Sequence, residues 1–290
     1  MALTGLLLAV WSTVRGGTGV RLGFGGRVAV IEVDGVIVDD APTLEQIRRF
    51  RRDASVRAFV VSINSPGGVV GPSQSIYREL RRLRVEEERP VIASIGGIGA
   101  SGGYYVALAA DSIFALPGSL TGSIGVIMEV PDASELMDKV GVQMQVVKSA
   151  EFKDAGSPFR PISPAEEAVL DTLVQDVYRQ FVEVVAEERD LTPEAISYVA
   201  DGRVLSGRQA LEHGLIDRMG NLNDAVAAAG LMTGLGDDPE VVRPSKPSFG
   251  LLDLLLGTAA AGMLGDVVGS LGEAPMPSLK FIVPRYRARG

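Results

Sequence analysis

The chain has 290 residues, 46% of them hydrophobic and 22% charged, so it carries enough apolar material for a full core and does not read as disordered. Its net charge of −8, with no block of lysine and arginine forming a stripe, argues against nucleic acid as a partner. The absence of cysteine and the single histidine, His213, exclude thiol catalysis, disulfides, cysteine-ligated metal and any two- or three-histidine metal site within one chain.

Residues 1–26 hold a short apolar segment. Its run from Ala2 to Trp11 covers about half of a ~30 Å hydrocarbon core, with no basic stretch before it and no clear cleavage site after it. It reads as the remnant of an anchor, as an interfacial segment with Trp11 at its edge, or as an apolar terminus packed on the domain. Arg27–Val33 predicts a strand, 42–53 a helix, and 58–64 a second buried strand stopped by the turn Ser65-Pro66-Gly67-Gly68. A helix from 72 to 85, a strand over 90–95, a helix over 101–110 and a strand over 112–116 follow. Strands alternating with helices imply parallel β-α units, with sites at the strand carboxyl ends, where the loops 65–68 and 96–101 fall.

Further on, a helix near 133–140, a strand over 143–148, a polar loop over 149–163 and a long helix from 164 to 190 are expected. In that long helix Val169, Leu173, Val177, Phe181 and Val185 recur at helical spacing. Residues 234–250, with Pro239, Pro244 and Pro247, read as a linker. Phe249–Leu271, interrupted by Asp253, Asp266 and glycines, reads as a docking helix or partner-binding tail rather than a membrane span.

The chemistry concentrates in Gly99-Ala100-Ser101-Gly102-Gly103-Tyr104-Tyr105, a serine among small residues after an apolar run, and in Glu151-Phe152-Lys153-Asp154. A serine hydroxyl needs a base to take its proton. Gly99–Gly103 matches the G-x-S-x-G elbow that pairs with a downstream histidine, which makes His213 one candidate. His213 precedes Gly214 at the end of an amphipathic segment, where a helix-terminal residue is the simpler reading. A lysine replaces histidine when burial lowers its pKa from about 10.4 and a polar partner aims its amine. Lys153 beside Phe152, with a hydroxyl such as Ser123, fits that description. Lys148 competes, but it ends an expected strand and no aspartate follows it.

Five motifs in order resemble the half-length signal peptide peptidase A family, Ser-Lys serine proteases of the ClpP/crotonase-like superfamily. They are Asn64–Gly68, Ala100–Tyr105, Thr121–Val126, Phe152–Asp154 with Ser157–Arg160, and Gly207–Ala210 leading to Gly214–Asp217. The resemblance covers about residues 27–230. It implies an α/β fold of the ClpP/crotonase-like type, a β-β-α superhelix with a mixed, largely parallel sheet flanked by helices. It implies Ser101 as nucleophile, Lys153 as general base, Ser123 as the hydroxyl that orients the lysine, and the Gly68 and Gly102 amides as the oxyanion hole. A groove beside Gly67, Val69 and Val70 would take the peptide as an added strand. No metal or organic cofactor is implied.

The expected substrates are hydrophobic peptides such as cleaved signal peptides. The expected assembly is a homo-oligomeric ring or dome with the dyad completed between neighbours. Membrane association with the protease domain on the extracytoplasmic side follows from the family, although the apolar N-terminal segment is short enough for a soluble or peripheral form. The domain reading is 1–26 apolar segment, 27–233 protease domain, and 234–290 linker and apolar tail. A related membrane-associated Ser-Lys protease that processes a stomatin-like partner, a non-catalytic scaffold of the same fold, and an acyl-CoA enzyme are the competing readings.

Overall fold

The computed structural model describes residues 25–244 and 279–282; the segments 1–24, 245–278 and 283–290, which include the apolar N-terminal run and the expected docking helix over 249–271, lie outside the described residues. In chain order the described residues form β1 (Arg27–Asp34), α1 (Ala41–Arg51), β2 (Val56–Ser65), β3 (Gly67–Val69), α2 (Val70–Val85), β4 (Val91–Ala100), α3 (Gly102–Ala107), β5 (Ser112–Ala115), β6 (Leu120–Gly122), β7 (Ile127–Met128) and α4 (Ser134–Val140). A 3-10 turn over Glu151–Asp154 follows. The chain continues through α5 (Pro164–Arg189), α6 (Pro193–Val199), β8 (Val204–Ser206), α7 (Gly207–Glu212), β9 (Arg218–Met219), α8 (Leu222–Met232), β10 (Val241–Val242) and β11 (Leu279–Ile282).

The main sheet runs β10-β1-β2-β4-β5-β9 with every neighbouring pair parallel, and β6 pairs parallel with the far end of β4 and antiparallel with β8. It is the mixed, mostly parallel α/β sheet that the resemblance implies. The apolar runs in β1, β2 and β4 are continuous because both faces are covered. Ala29, Ile31 and Val33, with Phe59, Val61, Ile63, Val91, Ala93 and Ile95, enter the larger core against α1, α2, α3 and α5. The alternate positions Val28, Val30, Ala58, Val60 and Ile92 meet Ala225, Val226 and Ala229 of α8 on the other face.

Several elements differ from expectation. The third strand does not stop at residue 95 but continues to Ala100, exchanging its partner β5 for β6 at Ile98–Ala100. The loop expected over 96–101 is therefore largely strand. The helix expected over 101–110 ends at Ala107. Gly67 and Gly68, read as part of a turn, open the short strand β3, and Val70 is the first residue of α2 rather than part of the strand. Residues 143–148 form no strand, since no described strand lies beside them. Val241–Val242, inside the expected linker, pairs with β1 and carries the sheet past residue 233.

Helices α2 and α5 are joined by a charged staple. The Glu188 carboxylate, its side chain 7% exposed, accepts hydrogen bonds from Tyr77 Oη (2.6 Å), Arg81 Nε (2.9 Å) and Arg84 Nη2 (2.6 Å). Burial pushes its pKa up, but the bonds from Tyr77 and Arg84 outweigh this and hold it below the ordinary glutamate value. Arg84 also donates to the Ala110 carbonyl behind β5, so the staple fixes α5 against the sheet. Glu188→Ala strands these donors and should cost on the order of 3–5 kcal/mol in thermal or urea unfolding. A loss below about 1 kcal/mol would mean that the pair behaves as a solvated surface bridge.

Candidate active site

Ser101 stands between β4 and α3, where the chain turns from strand to helix at a single residue. Its N–H donates to the Gly122 carbonyl (2.8 Å), and its own carbonyl accepts the first helical bond, from Tyr105 (2.8 Å). Meeting both demands puts it at φ 53° and ψ −117°, a conformation that L residues rarely adopt. The residue is 1% exposed, and among the described residues its hydroxyl has no hydrogen-bond partner. Among the described residues four non-glycine residues have positive φ: Glu88 and Asp190, which follow helix C-terminal ends, and Ser101 and Ser123, which do not. Strained backbone of this kind clusters at functional sites.

Glycines let the neighbouring backbone close on this serine. A Cβ on Gly103 would lie 2.7 Å from the Ser65 carbonyl oxygen, so the start of α3 sits directly on the chain entering β3. The Ser65 hydroxyl accepts from the Gly67 N–H (3.1 Å), and Gly67 takes φ 99°, where a side chain would be strained. A Cβ on Gly68 would fall 2.0 Å from the Ile37 oxygen. Gly102 is the first residue of α3 and is buried with the rest of that helix. The fold thus brings Gly67, Gly68, Ser101 and Gly102 together at the carboxyl ends of β2 and β4.

Ser123 comes to the same place. It follows Gly122, the acceptor for the Ser101 N–H, and its own N–H donates to the Arg203 carbonyl (2.8 Å). It is 5% exposed and lines an open cleft of about 370 Å³ with Val126, Ile127, Tyr178, Asp201 and Gly202. Lys153 is not brought in. It lies exposed in the 3-10 turn, and no hydrogen bond or ion pair among the described residues joins it to either serine. Lys148 is the lysine held by the following aspartate: its Nζ donates to Asp154 Oδ1 (2.6 Å) and to the Glu151 carbonyl (2.8 Å).

The family model for peptidase family S49 matches residues 84–235, a stretch that takes in Ser101, Ser123 and Lys153. The chain belongs to peptidase family S49. It is 42% identical over 226 residues to a provisionally named protease of Synechocystis sp., covering 76% of this chain and 80% of that protein. It is 34% identical over 271 residues to protease 4 of Salmonella typhi, covering 88% of this chain and 42% of that protein. It is also 34% identical over 235 residues to the chloroplastic serine protease SPPA of Arabidopsis thaliana, covering 79% of this chain and 34% of that protein. The chain therefore spans less than half the length of these last two relatives. Family membership makes it a serine endopeptidase.

Within the S49 domain the sequence motifs interlock. The Tyr104 hydroxyl donates to the Leu215 carbonyl (2.7 Å), tying the Ala100–Tyr105 motif to Gly214–Asp217. Asp217 accepts both Arg189 guanidinium nitrogens (2.8 and 3.0 Å) and the Ile113 N–H (2.7 Å), fastening α5 to β5. His213 is the C-cap of α7 with its ring 5.0 Å from that of Tyr198, and among the described residues no hydrogen bond or ring contact connects it to Ser101. Among the described residues no helix is long and apolar enough to cross a membrane.

The arm that bears Lys153 has its own anchor, one that sequence reasoning missed although Arg160 lay inside a quoted motif. Arg160 grips the Glu166 carboxylate with both terminal nitrogens, Nη1 at 2.7 Å, and also reaches Asp154. Glu166 closes the N-terminal capping box of α5, accepting from the Ser163 N–H (2.9 Å). These bonds, the Arg160 guanidinium first, hold Glu166 far below the usual carboxylate range, and Lys148 lowers Asp154 likewise. A depressed folded-state pKa gives stability that is complete above the unfolded value of about 4.3 and is lost as pH falls toward the folded one. Melting of the wild type should decline from about pH 5 downward, and Glu166→Gln should flatten that decline. Superimposable pH profiles for the two proteins would sink this assignment.

Proposed function

We propose that this S49 domain hydrolyses hydrophobic peptides of the signal-peptide-remnant kind with a Ser101–Lys153 dyad completed between two copies of the chain. The observation that carries the reading is Ser101 itself: a serine 1% exposed, held at φ 53° on a strand-to-helix turn beside the glycine amides of β3 and α3. In the proposed reaction Ser101 Oγ attacks the scissile carbonyl while the Lys153 amine takes its proton. The Gly68 and Gly102 amides receive the charge on the oxygen. The C–N bond then breaks, the leaving amine takes the proton back, and water releases the acyl group by the same route.

The exposed placement of the lysine supports sharing between copies. A lysine acts as a base near neutral pH when it is buried. Lys153 lies exposed on an arm whose Val140, Val142, Met144, Val146, Val147 and Phe152 side chains are exposed as well. An arm this apolar calls for cover, and residues 142–148 form neither helix nor strand and pair with no described strand. The cleft at Ser123 is open to receive an amine from outside. Docking the arm of one copy against the cleft of another would bury both.

Purified wild type should react with a fluorophosphonate probe at Ser101 and cleave an apolar fluorogenic peptide. Ser101→Ala should lose both, and Lys153→Ala should lose on the order of 10²–10⁴ in rate. Co-assembled Ser101→Ala and Lys153→Ala chains should recover activity that neither has alone, because each supplies what the other lacks. A mixture that stays inactive although it co-assembles would place the base within the same chain or on another residue. Absence of labelling in assembled wild type would favour the scaffold reading.

A further inference from the structure

We propose that Asp201 is a positioning residue of the active site: through Arg203 it fixes the backbone that holds Ser123 in its left-handed turn, and so sets where the lysine-orienting hydroxyl stands. The proposal rests on the functional reading above for the role of that hydroxyl.

Ser123 lies just past the end of β6, yet its backbone is still bonded to the chain opposite. The β6–β8 pairing ends at Gly122↔Val204. Beyond it the Ser123 N–H donates to the Arg203 carbonyl (2.8 Å), and the Gly202 N–H donates to the Ile124 carbonyl (3.1 Å). The ladder thus runs on while the backbone leaves the extended conformation, with Ser123 at φ 51° and Gly202 at φ 85°. A non-glycine residue stays in such a conformation only where its surroundings over-determine it. For Ser123 the loop from Ala200 to Arg203 does this.

That loop is held by side chains, and Asp201 does most of the holding. Its Oδ1 accepts the Arg203 N–H (3.1 Å), closing a turn on Gly202. The same carboxylate accepts Arg203 Nε at 2.8 and 2.9 Å and Nη2 at 2.6 Å. The backbone N–H and the guanidinium of one residue converge on one carboxylate, and the carbonyl of that residue is left to Ser123. The guanidinium also lies over the Tyr198 ring of α6, 5.0 Å from its centre, and Tyr178 Oη of α5 donates to the Ala200 carbonyl (2.6 Å). A Cβ on Gly125 would stand 3.3 Å from the Gly202 Cα, so the two segments are already close-packed. The bonds from Arg203 hold the Asp201 carboxyl down to about 2, which keeps the pair charged across the neutral range.

Asp201 and Ser123 line the same cleft, but the Asp201 carboxylate is spent on Arg203 and reaches the chemistry only through the backbone. Both side chains of the pair are nearly half exposed, and an ion pair of that kind contributes little to folding. Its effect is on where a hydroxyl stands, and a small displacement of a catalytic group lowers the rate without weakening substrate binding.

The test measures kcat and KM for the apolar fluorogenic peptide in full-length wild type, Asp201→Ala, Asp201→Asn, Ser123→Ala and the Asp201→Ala/Ser123→Ala pair. Size-exclusion chromatography and thermal melting confirm assembly and fold first. Asp201→Ala should lower kcat on the order of tenfold at unchanged KM, and Asp201→Asn, which keeps an oxygen facing Arg203, should recover most of that loss. In the Ser123→Ala background Asp201→Ala should cost nothing further, because the hydroxyl it acts through is already gone. An equal loss in both backgrounds, a raised KM at unchanged kcat, or an undiminished kcat in Asp201→Ala would overturn the positioning role and leave the dyad intact. Should Asp201→Ala fail to assemble, Arg203→Gln breaks the pair from its other end, and the same comparison with and without Ser123 decides. A wild type that neither labels at Ser101 nor cleaves the peptide, or a Ser123→Ala chain as active as wild type, would instead overturn the functional reading on which the proposal rests.

Discussion

The hydrogen bond from the Ser101 N–H to the Gly122 carbonyl ties together two strands that meet only at their ends. Strand β4 is flanked by β5 as far as Ile95 and by β6 from Ile98 onward, so one strand serves the core first and the site afterwards. Ser119 makes the exchange: its hydroxyl accepts from the Leu116 N–H (3.1 Å), where β5 has ended, and donates to the Gly96 carbonyl (2.5 Å). Once β6 is docked, Ser101 has to bond Gly122 and start α3 at the same residue, and the left-handed backbone follows. Gly102 and Gly103 then let that helix rest on Ser65. The strain at the serine is thus the local cost of a partner exchange that the buried sheet enforces.

Where the local pattern had one physical explanation, the sequence was legible. The unbroken apolar runs of β1, β2 and β4 need cover on both faces, and both faces are covered. The helix over 164–190 declared itself by its apolar spacing, and the structure adds the capping box of Ser163 with Glu166 at its start. Ser101 and Ser123 stood out as serines among glycines, and those glycines are where backbone meets backbone. What was not legible depends on partners remote in sequence. Glycine-rich stretches read as turns, yet Gly67-Gly68 becomes strand because Ile37 supplies an edge from thirty residues earlier, and Gly96–Ala100 because β6 arrives later in the chain. The alternation over 143–148 reads as a strand, and the described chain offers it nothing to pair with.

The domain divides its charges between two uses. The Glu188 staple and the Arg189–Asp217 pair sit over the sheet and fix the long helix to it, so they act on the core. The Lys148–Asp154–Arg160–Glu166 chain lies at the other end of the same helix and fixes the arm. Asp154 follows Lys153 in sequence but is spent on Lys148 and Arg160. That leaves Lys153 presented by a rigid turn without a carboxylate of its own. A surface arrangement of this kind contributes little to folding; its effect is to define where one amine stands.

Edges impose the last constraint. A buried parallel sheet hides its strand edges under neighbours, but β3 and β7 are short strands that lie off that sheet and present edges toward a common slot. Neighbouring strands stand about 4.8 Å apart, so two edges bridged by a single strand are separated by roughly 10 Å. Such a slot is too narrow for a helix and has the width of one extended chain, whose two edges it can satisfy at once. A Cβ at position 68 would meet the Ile37 backbone on the opposite edge of β3, so glycine there keeps that edge in line. Both edges are met by one strand, β11, which pairs with β3 on one side and β7 on the other, so each strand completes the backbone bonding that the other leaves open.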